Sequence, residues 1–74
     1  MSKHSQVKMS KGTLTQVSWI PADYATKGRL LKLRERGGEW DNGWIVEDVY
    51  ATLNTDTVMK RSQDYKNTRE ASDI

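Results

Sequence analysis

The chain has 74 residues, no cysteine and a formal net charge of +2, which limits it to one small domain without disulfides or thiolate metal sites. No apolar run approaches the roughly 20 residues of a membrane-spanning helix, and the N-terminal MSKHSQVKMSKG lacks the apolar stretch of a secretory signal. Such a short chain buries little surface, so we expect three Trp and three Tyr to supply much of its core.

Charge is sorted along the sequence. Residues 1–36 contain eight Lys or Arg and two Asp or Glu, whereas residues 37–74 contain four Lys or Arg and eight Asp or Glu. Opposed blocks of charge on one small body steer its encounter with a charged partner and select its orientation. The sequence therefore predicts a binding domain with a strong electric dipole.

The first twelve residues predict a flexible basic arm, because Lys, Ser and Gly dominate them and acidic residues are absent. Residues 13–74 then form a single small domain. Its first strand is predicted at residues 13–20 (TLTQVSWI), where β-branched residues are frequent and Val17 and Trp19 share one face. Pro21 ends this strand.

Two further strands flank a predicted long loop at residues 36–43, which contains the turn signal Asp-Asn-Gly. Residues 29–35 (RLLKLRE) alternate with the period of a strand. Residues 44–53 (WIVEDVYATL) are the most β-like segment. Their apolar alternation slips at Glu47 and Asp48, so we expect a β-bulge there.

A C-terminal helix is predicted over residues 57–71, which contain no Pro or Gly and follow the capping sequence Asn-Thr-Asp. Its last two turns are expected to fray, because little apolar surface remains beyond Tyr65. The predicted fold is α+β: a three-stranded antiparallel sheet with a C-terminal helix and a flexible basic N-terminal arm. The residues assigned to the core are Trp19, Leu31, Leu33, Trp44 and Val49.

The sequence predicts no enzyme, no cofactor and no metal. Nucleophilic catalysis needs a nucleophile beside a base, but Cys is absent and the only His, His4, lies in the predicted arm. Glu47 and Asp48 are neighbours on a strand and point to opposite faces in regular geometry. The acidic residues around them lack the spacing of a calcium-binding loop.

Basic residues are the best candidates for partner binding, because Lys and Arg neutralise phosphates. Lys32 and Arg34 fit the solvent face of a strand equally well, and the acidic second half offsets the positive charge. Arg61, Tyr65 and Arg69 have i,i+4 spacing, which aligns them on one helix face. The alternative is that Tyr65 packs on the sheet between two solvated Arg. The candidate partner-binding residues are Lys3, Lys8, Lys11, Lys32, Arg34, Arg61 and Arg69.

Four motifs carry a resemblance to a known class of proteins. They are Trp-Ile-Pro at 19–21, Gly-x-Leu-Leu-Lys-Leu at 28–33, Gly-Trp-x-Val at 43–46, and Asp-Tyr-Lys-x-x-Arg-x-Ala-Ser-Asp-Ile at 64–74. Together they make residues 13–74 resemble small accessory proteins of tailed bacteriophages. The best-understood phage proteins of this size are regulators that bind bacterial RNA polymerase.

The resemblance implies a non-catalytic transcription regulator in the cytoplasm of an infected bacterium. Such a protein blocks initiation or promotes read-through of terminators, with nucleic acid close to its binding site on the polymerase. We expect a monomer that does not bind membranes. Two alternatives remain open: an inhibitor of a host defence complex, as anti-CRISPR proteins are, and a small nucleic-acid-binding accessory protein.

Overall fold

Strands dominate the computed structural model, which describes residues 2–74. The strands are β1 Lys3–Lys11, β2 Leu14–Pro21, β3 Leu30–Arg34, β4 Asp41–Asn54 and β5 Glu70–Asp73. The helical segments are a 3₁₀ turn at Ala22–Tyr24, α1 Thr55–Lys60 and α2 Ser62–Lys66. The strands form one five-stranded sheet in the order β2-β1-β4-β3-β5, in which all neighbours are antiparallel.

The prediction of a three-stranded sheet with a C-terminal helix and a flexible arm is wrong. The predicted strands at 13–20, 29–35 and 44–53 correspond to β2, β3 and β4. Two strands were not predicted: β1 lies in the expected arm, and β5 lies in the expected helix. The sheet therefore takes its strands from both ends of the described chain, from Lys3 to Asp73.

β1 lies inside the sheet because its side chains alternate between core and surface. Ser5, Val7 and Met9 are buried, whereas Lys8 projects to the other face and is exposed. A two-residue turn connects β1 to β2, and Gly12 at its first position has a φ of 60°, as hairpin turns of type II′ require. β4 pairs with the other side of β1.

β5 forms because the predicted helix ends early. Arg61 is extended, with φ −93° and ψ 112°, and separates α1 from α2. Beyond α2 the chain pairs with β3, and Ala71 is buried opposite Leu33. On the other face of the same two strands, Glu70 forms an ion pair with Arg34. This cross-strand pairing stabilises a segment whose residues have low intrinsic β propensity.

Trp19 joins the two outer strands of the sheet. Its N–H donates to the carbonyl of Asn67 at 2.8 Å, and its carbonyl accepts from the N–H of Arg69 at 2.8 Å. Trp19 and Thr68 thereby form a parallel bridge, and the sheet curls back on itself. The enclosed apolar cluster contains Val7, Met9, Ile20, Leu31, Leu33, Trp44, Val46 and Ala71.

Four of the five residues assigned to the core are buried, and Val49 is the exception at 39% exposed. β3 pairs with β4 only as far as Ile45, so Val49 lies on a part of β4 that has β1 as its sole strand neighbour among residues 2–74. The register between β1 and β4 skips Glu47, where the sequence predicts a bulge, and also skips Tyr50.

The position of β1 predicts the effect of truncating Met9. Met9→Ala leaves a cavity in the core, and we expect it to lower the free energy of unfolding by about 2–5 kcal/mol. Lys8→Ala is the matched control on the same strand and should change it by less than about 0.5 kcal/mol. Urea denaturation followed by tryptophan fluorescence measures both. Equal stability of the two variants would contradict a central β1.

Candidate anion-binding groove

The fold mixes the charges that the sequence separates. Three ion pairs connect the basic first half to the acidic second half: Lys11–Asp41, Arg29–Asp73 and Arg34–Glu70. All three are partly exposed to solvent, and such pairs contribute about 0–1 kcal/mol each to stability. The dipole expected from the sequence is therefore reduced, and a binding site has to be sought among the remaining cations.

A groove of about 630 Å³ lies where the end of β3, the helices and the start of β5 meet. The lining residues are Arg34 at the end of β3, Glu35, Arg36 and Trp40 in the loop that follows, Met59, Tyr65 and Lys66 from the helices, Thr68 and Arg69 before β5, Glu70 and Ala71 in β5, and His4 and Pro21. Four of these side chains are Lys or Arg and two are carboxylates, so the groove has a surplus of positive charge.

The loop after β3 brings Trp40 back over the strand. The N–H of Gly38 donates to the carbonyl of Glu35 at 2.8 Å, which reverses the chain. The ring of Trp40 then has the Arg34 guanidinium 4.5 Å and the Lys32 amine 5.1 Å from its centroid. Both distances are within the range of cation–π attraction. The Trp40 side chain is held in place while the residue remains 38% exposed.

Tyr65 from α2 brings a second aromatic ring into the groove. The Arg36 guanidinium lies 5.2 Å from the centroid of this ring, and Arg36 Nη1 donates to Tyr65 Oη at 2.9 Å. Tyr65 is 45% exposed. The groove thus contains two partly exposed rings, each beside a guanidinium that orients it.

The cations of the groove differ in how well they are neutralised. Arg34 pairs with Glu70, and Arg69 lies 3.5 Å from Glu35. Arg36 and Lys66 have no acidic partner within 4.0 Å in the part of the chain that the structure describes. These two side chains are therefore the ones that an incoming anion meets without displacing a carboxylate.

His4 also lines the groove but adds no charge at neutral pH. Its Nδ1 lies 2.8 Å from Thr55 Oγ1. Burial lowers the pKa of His4 below its usual 6.5, because removal from water disfavours the charged imidazolium. The positive charge of the groove at pH 7 therefore comes from Lys and Arg alone.

Three of the seven predicted partner-binding residues come together at this groove. Arg34 and Arg69 line it, and Lys32 lies against Trp40 beside it. The predicted helical stripe that ends at Arg69 does not form, since α2 ends at Lys66. Tyr65 neither packs into the sheet core nor stands between two free Arg.

The other four predicted residues lie elsewhere. Lys3 and Lys8 are exposed on β1, and Lys11 is paired with Asp41. Arg61 lies between the helices, 3.7 Å from Asp64. None of these four lines the groove.

The sequence does not predict Trp40 or Lys66 as site residues, and Arg36, although it belongs to the basic run that is a candidate for binding nucleic acid, is absent from the predicted partner-binding set. The sequence predicts that all three tryptophans contribute to the core, whereas Trp40 is 38% exposed. A signal was present in the sequence, because Trp40 stands in the predicted loop 36–43 rather than in a strand. A loop Trp close to a run of basic residues is a candidate stacking platform.

Over residues 2–74, no cluster of three or more His, Asp or Glu side chains is arranged to hold a metal ion. None of the helices within this range is long and apolar enough to cross a membrane. No family model matches the sequence, and no curated protein or solved structure matches it significantly.

Two paired carboxylates, Asp41 and Asp73, and the half-buried His4 make the stability of the fold depend on pH. Arg29 donates two hydrogen bonds of 2.8 Å to Asp73, which lower the pKa of Asp73 below its usual 3.8. Hydrogen bonds from Lys11 and Trp44 lower the pKa of Asp41 in the same way. The pKa of His4 is lowered as well. In all three cases the unfolded chain binds protons more readily than the folded one, so acid destabilises the fold.

We expect two phases of acid destabilisation. Protonation of His4 removes stability as the pH falls below about 6.5, and protonation of Asp41 and Asp73 removes more as it falls below about 4. Urea midpoints measured at intervals from pH 8 to pH 2 report both phases. His4→Asn should remove the first phase alone, and Asp73→Asn should diminish the second. A midpoint that rises on acidification would contradict this assignment.

Proposed function

We propose that this protein acts by binding and that its groove takes single-stranded nucleic acid. The observation that carries this proposal is the placement of a guanidinium beside each exposed ring: Arg34 beside Trp40 and Arg36 beside Tyr65. Proteins that bind single strands combine aromatic platforms for bases with cations that follow the phosphates.

The chemistry of the groove favours this ligand over an acidic peptide. Each base that stacks on an aromatic side chain contributes about 1–3 kcal/mol, and Trp40 and Tyr65 offer two such surfaces. Arg36 and Lys66 supply positive charge for phosphates without the loss of an existing ion pair. A peptide carboxylate would use the cations but would leave the rings without a matching flat partner.

The wider role that we propose follows the resemblance to phage regulators. In this proposal the protein works in the cytoplasm of an infected bacterium, binds RNA polymerase, and blocks initiation or promotes terminator read-through. Transcribing complexes contain melted DNA and nascent RNA. A groove for single strands would give a small regulator a second contact beside its protein contact.

Variants of the groove test the nucleic-acid proposal by separating charge from stacking. Arg36→Glu combined with Lys66→Glu should weaken binding of fluorescein-labelled oligo(dT) or oligo(U). It should also reduce the slope of log affinity against log salt by about 0.7 for each phosphate that the variant no longer neutralises. Trp40→Ala should cost about 1–3 kcal/mol with little change in slope. Fluorescence anisotropy across a salt series measures both effects.

A matched control places the same charge change outside the groove. Lys3→Glu combined with Lys8→Glu alters two exposed cations of β1 and should leave most of the affinity intact. An equal fall in affinity in this control and in the groove variant would show that binding follows net charge rather than the groove. Circular dichroism establishes that each variant is folded.

Affinity capture tests the proposed role in transcription. The tagged protein, incubated with nuclease-treated bacterial lysate, should retain RNA polymerase subunits, and the Arg36→Glu Lys66→Glu variant should still do so if the protein contact lies elsewhere. Purified polymerase should show altered initiation or termination when the protein is added. Recovery of an effector nuclease complex in place of polymerase would overturn this role in favour of a host-defence inhibitor.

A further inference from the structure

β2 has an open edge between its first residue and Trp19. One side of the strand pairs with β1 from Leu14 to Pro21, and β2 is the outermost strand of the sheet. On the other side, the hydrogen bonds of Trp19 to the segment before β5 cover only the end of the strand. Leu14–Ser18 have no second strand neighbour within the described chain, residues 2–74.

The hydrogen bonds of Trp19 show which backbone groups of β2 point away from β1. Its N–H and carbonyl both point away from β1, because they bond to Asn67 and Arg69. Outward and inward residues alternate along an antiparallel strand, and the register of β1 with β2 is continuous. Val17 and Thr15 therefore also direct their N–H and carbonyl groups to the open edge.

The edge lacks the charges, prolines and bulges that protect many edge strands from pairing with another strand. Natural edge strands are blunted by Lys, Pro, inward charges or bulges. The sequence LTQVS at 14–18 has no charged residue and no Pro, and no bulge interrupts it. Two of its side chains are well exposed, Leu14 at 61% and Val17 at 45%.

We infer that this edge pairs with the same edge of a second copy, in place of the monomer that the sequence predicts. An antiparallel pairing centred on Gln16 places Val17 opposite Thr15 of the other copy, and the reverse. Since both residues direct their backbone groups outward, this register forms four backbone hydrogen bonds around the two-fold axis. It also places two β-branched side chains opposite each other on one face.

A second copy of this chain is the partner that fits the open edge best. An uncharged segment meets its own copy without like-charge repulsion, and the outward groups at 15 and 17 are self-complementary in this register. A strand from a different protein would use the same backbone groups, but this segment offers it no charged side chain for specific recognition. The dimer joins two five-stranded sheets into one continuous sheet.

The interface is small, and it leaves the groove free. Pairing of five residues from each copy buries less than a standard interface of about 1,600 Å², so we expect a weak dimer with a dissociation constant on the order of micromolar. None of Leu14–Ser18 lines the groove. The dimer therefore presents two grooves on one body, whether or not the proposed ligand is correct.

Sedimentation equilibrium over a range of protein concentrations tests dimerisation. The wild-type protein should shift from the monomer to the dimer mass as concentration rises. Val17→Pro removes an N–H that points to the open edge and leaves the β1–β2 hydrogen bonds in place, so it should remain monomeric. Val17→Thr keeps the N–H and the branched side chain and should dimerise. A wild-type mass that stays monomeric at all concentrations would overturn the inference.

Cysteine cross-linking tests the register. The chain has no natural Cys, so each variant contains a single thiol. Gln16→Cys places two thiols opposite each other on the two-fold axis, where a disulfide is within reach, and should give a covalent dimer under mild oxidation. Leu14→Cys is opposite Ser18 of the other copy and should cross-link much less. Equal cross-linking of both variants would reject this register and indicate random collisions.

Discussion

The double pairing of β1 is the interaction on which the rest of the structure depends. β1 lies between β2 and β4 and pairs with each along most of its length. It supplies Val7 and Met9 to the core. Apart from the short Trp19 bridge, β1 is the connection within the described sheet between β2 and the block formed by β4, β3 and β5.

This arrangement also decides where charge is neutralised. The pairing of β1 with β4 brings Lys11 and Asp41 together, and the pairing of β3 with β5 brings Arg34 and Glu70 together. The charge blocks of the sequence are thereby partly neutralised in cross-strand pairs. Among the described residues that line the groove, the cations left without an acidic partner are Arg36 just beyond β3 and Lys66 at the end of α2. Their positions, rather than the overall dipole, define the proposed binding surface.

The segments that could be predicted from sequence are those with strong local signals. The sequence predicts β2 and β4 from their β-branched residues and β3 from its period-2 alternation, and it predicts the bulge at Glu47 from a slip in the alternation of β4. β1 was missed although Ser5, Val7 and Met9 alternate as clearly. Its Lys- and Ser-rich composition predicts disorder, but in this strand the alternation of buried and exposed side chains outweighs composition.

β5 could not be found from local sequence, because EASD has no β propensity of its own. It becomes a strand through the register with β3, which buries Ala71 and pairs Glu70 with Arg34. The groove could not be predicted from local sequence either. Trp40 and Tyr65 are separated by the whole of β4 and α1, and only the pairing of distant strands brings them to one surface.

The two carboxylates in the groove, Glu35 and Glu70, affect which ligands the groove would bind. Glu70 and Glu35 hold Arg34 and Arg69 in place, so a phosphate that binds these guanidiniums has to compete with an internal anion. Such competition lowers the affinity that charge alone provides and leaves Trp40 and Tyr65 with a larger share of the binding free energy. Bases held inside a duplex cannot reach those rings, because stacking on a side chain requires an unpaired, unstacked base. The partial neutralisation of the groove therefore favours single strands over the more highly charged duplex.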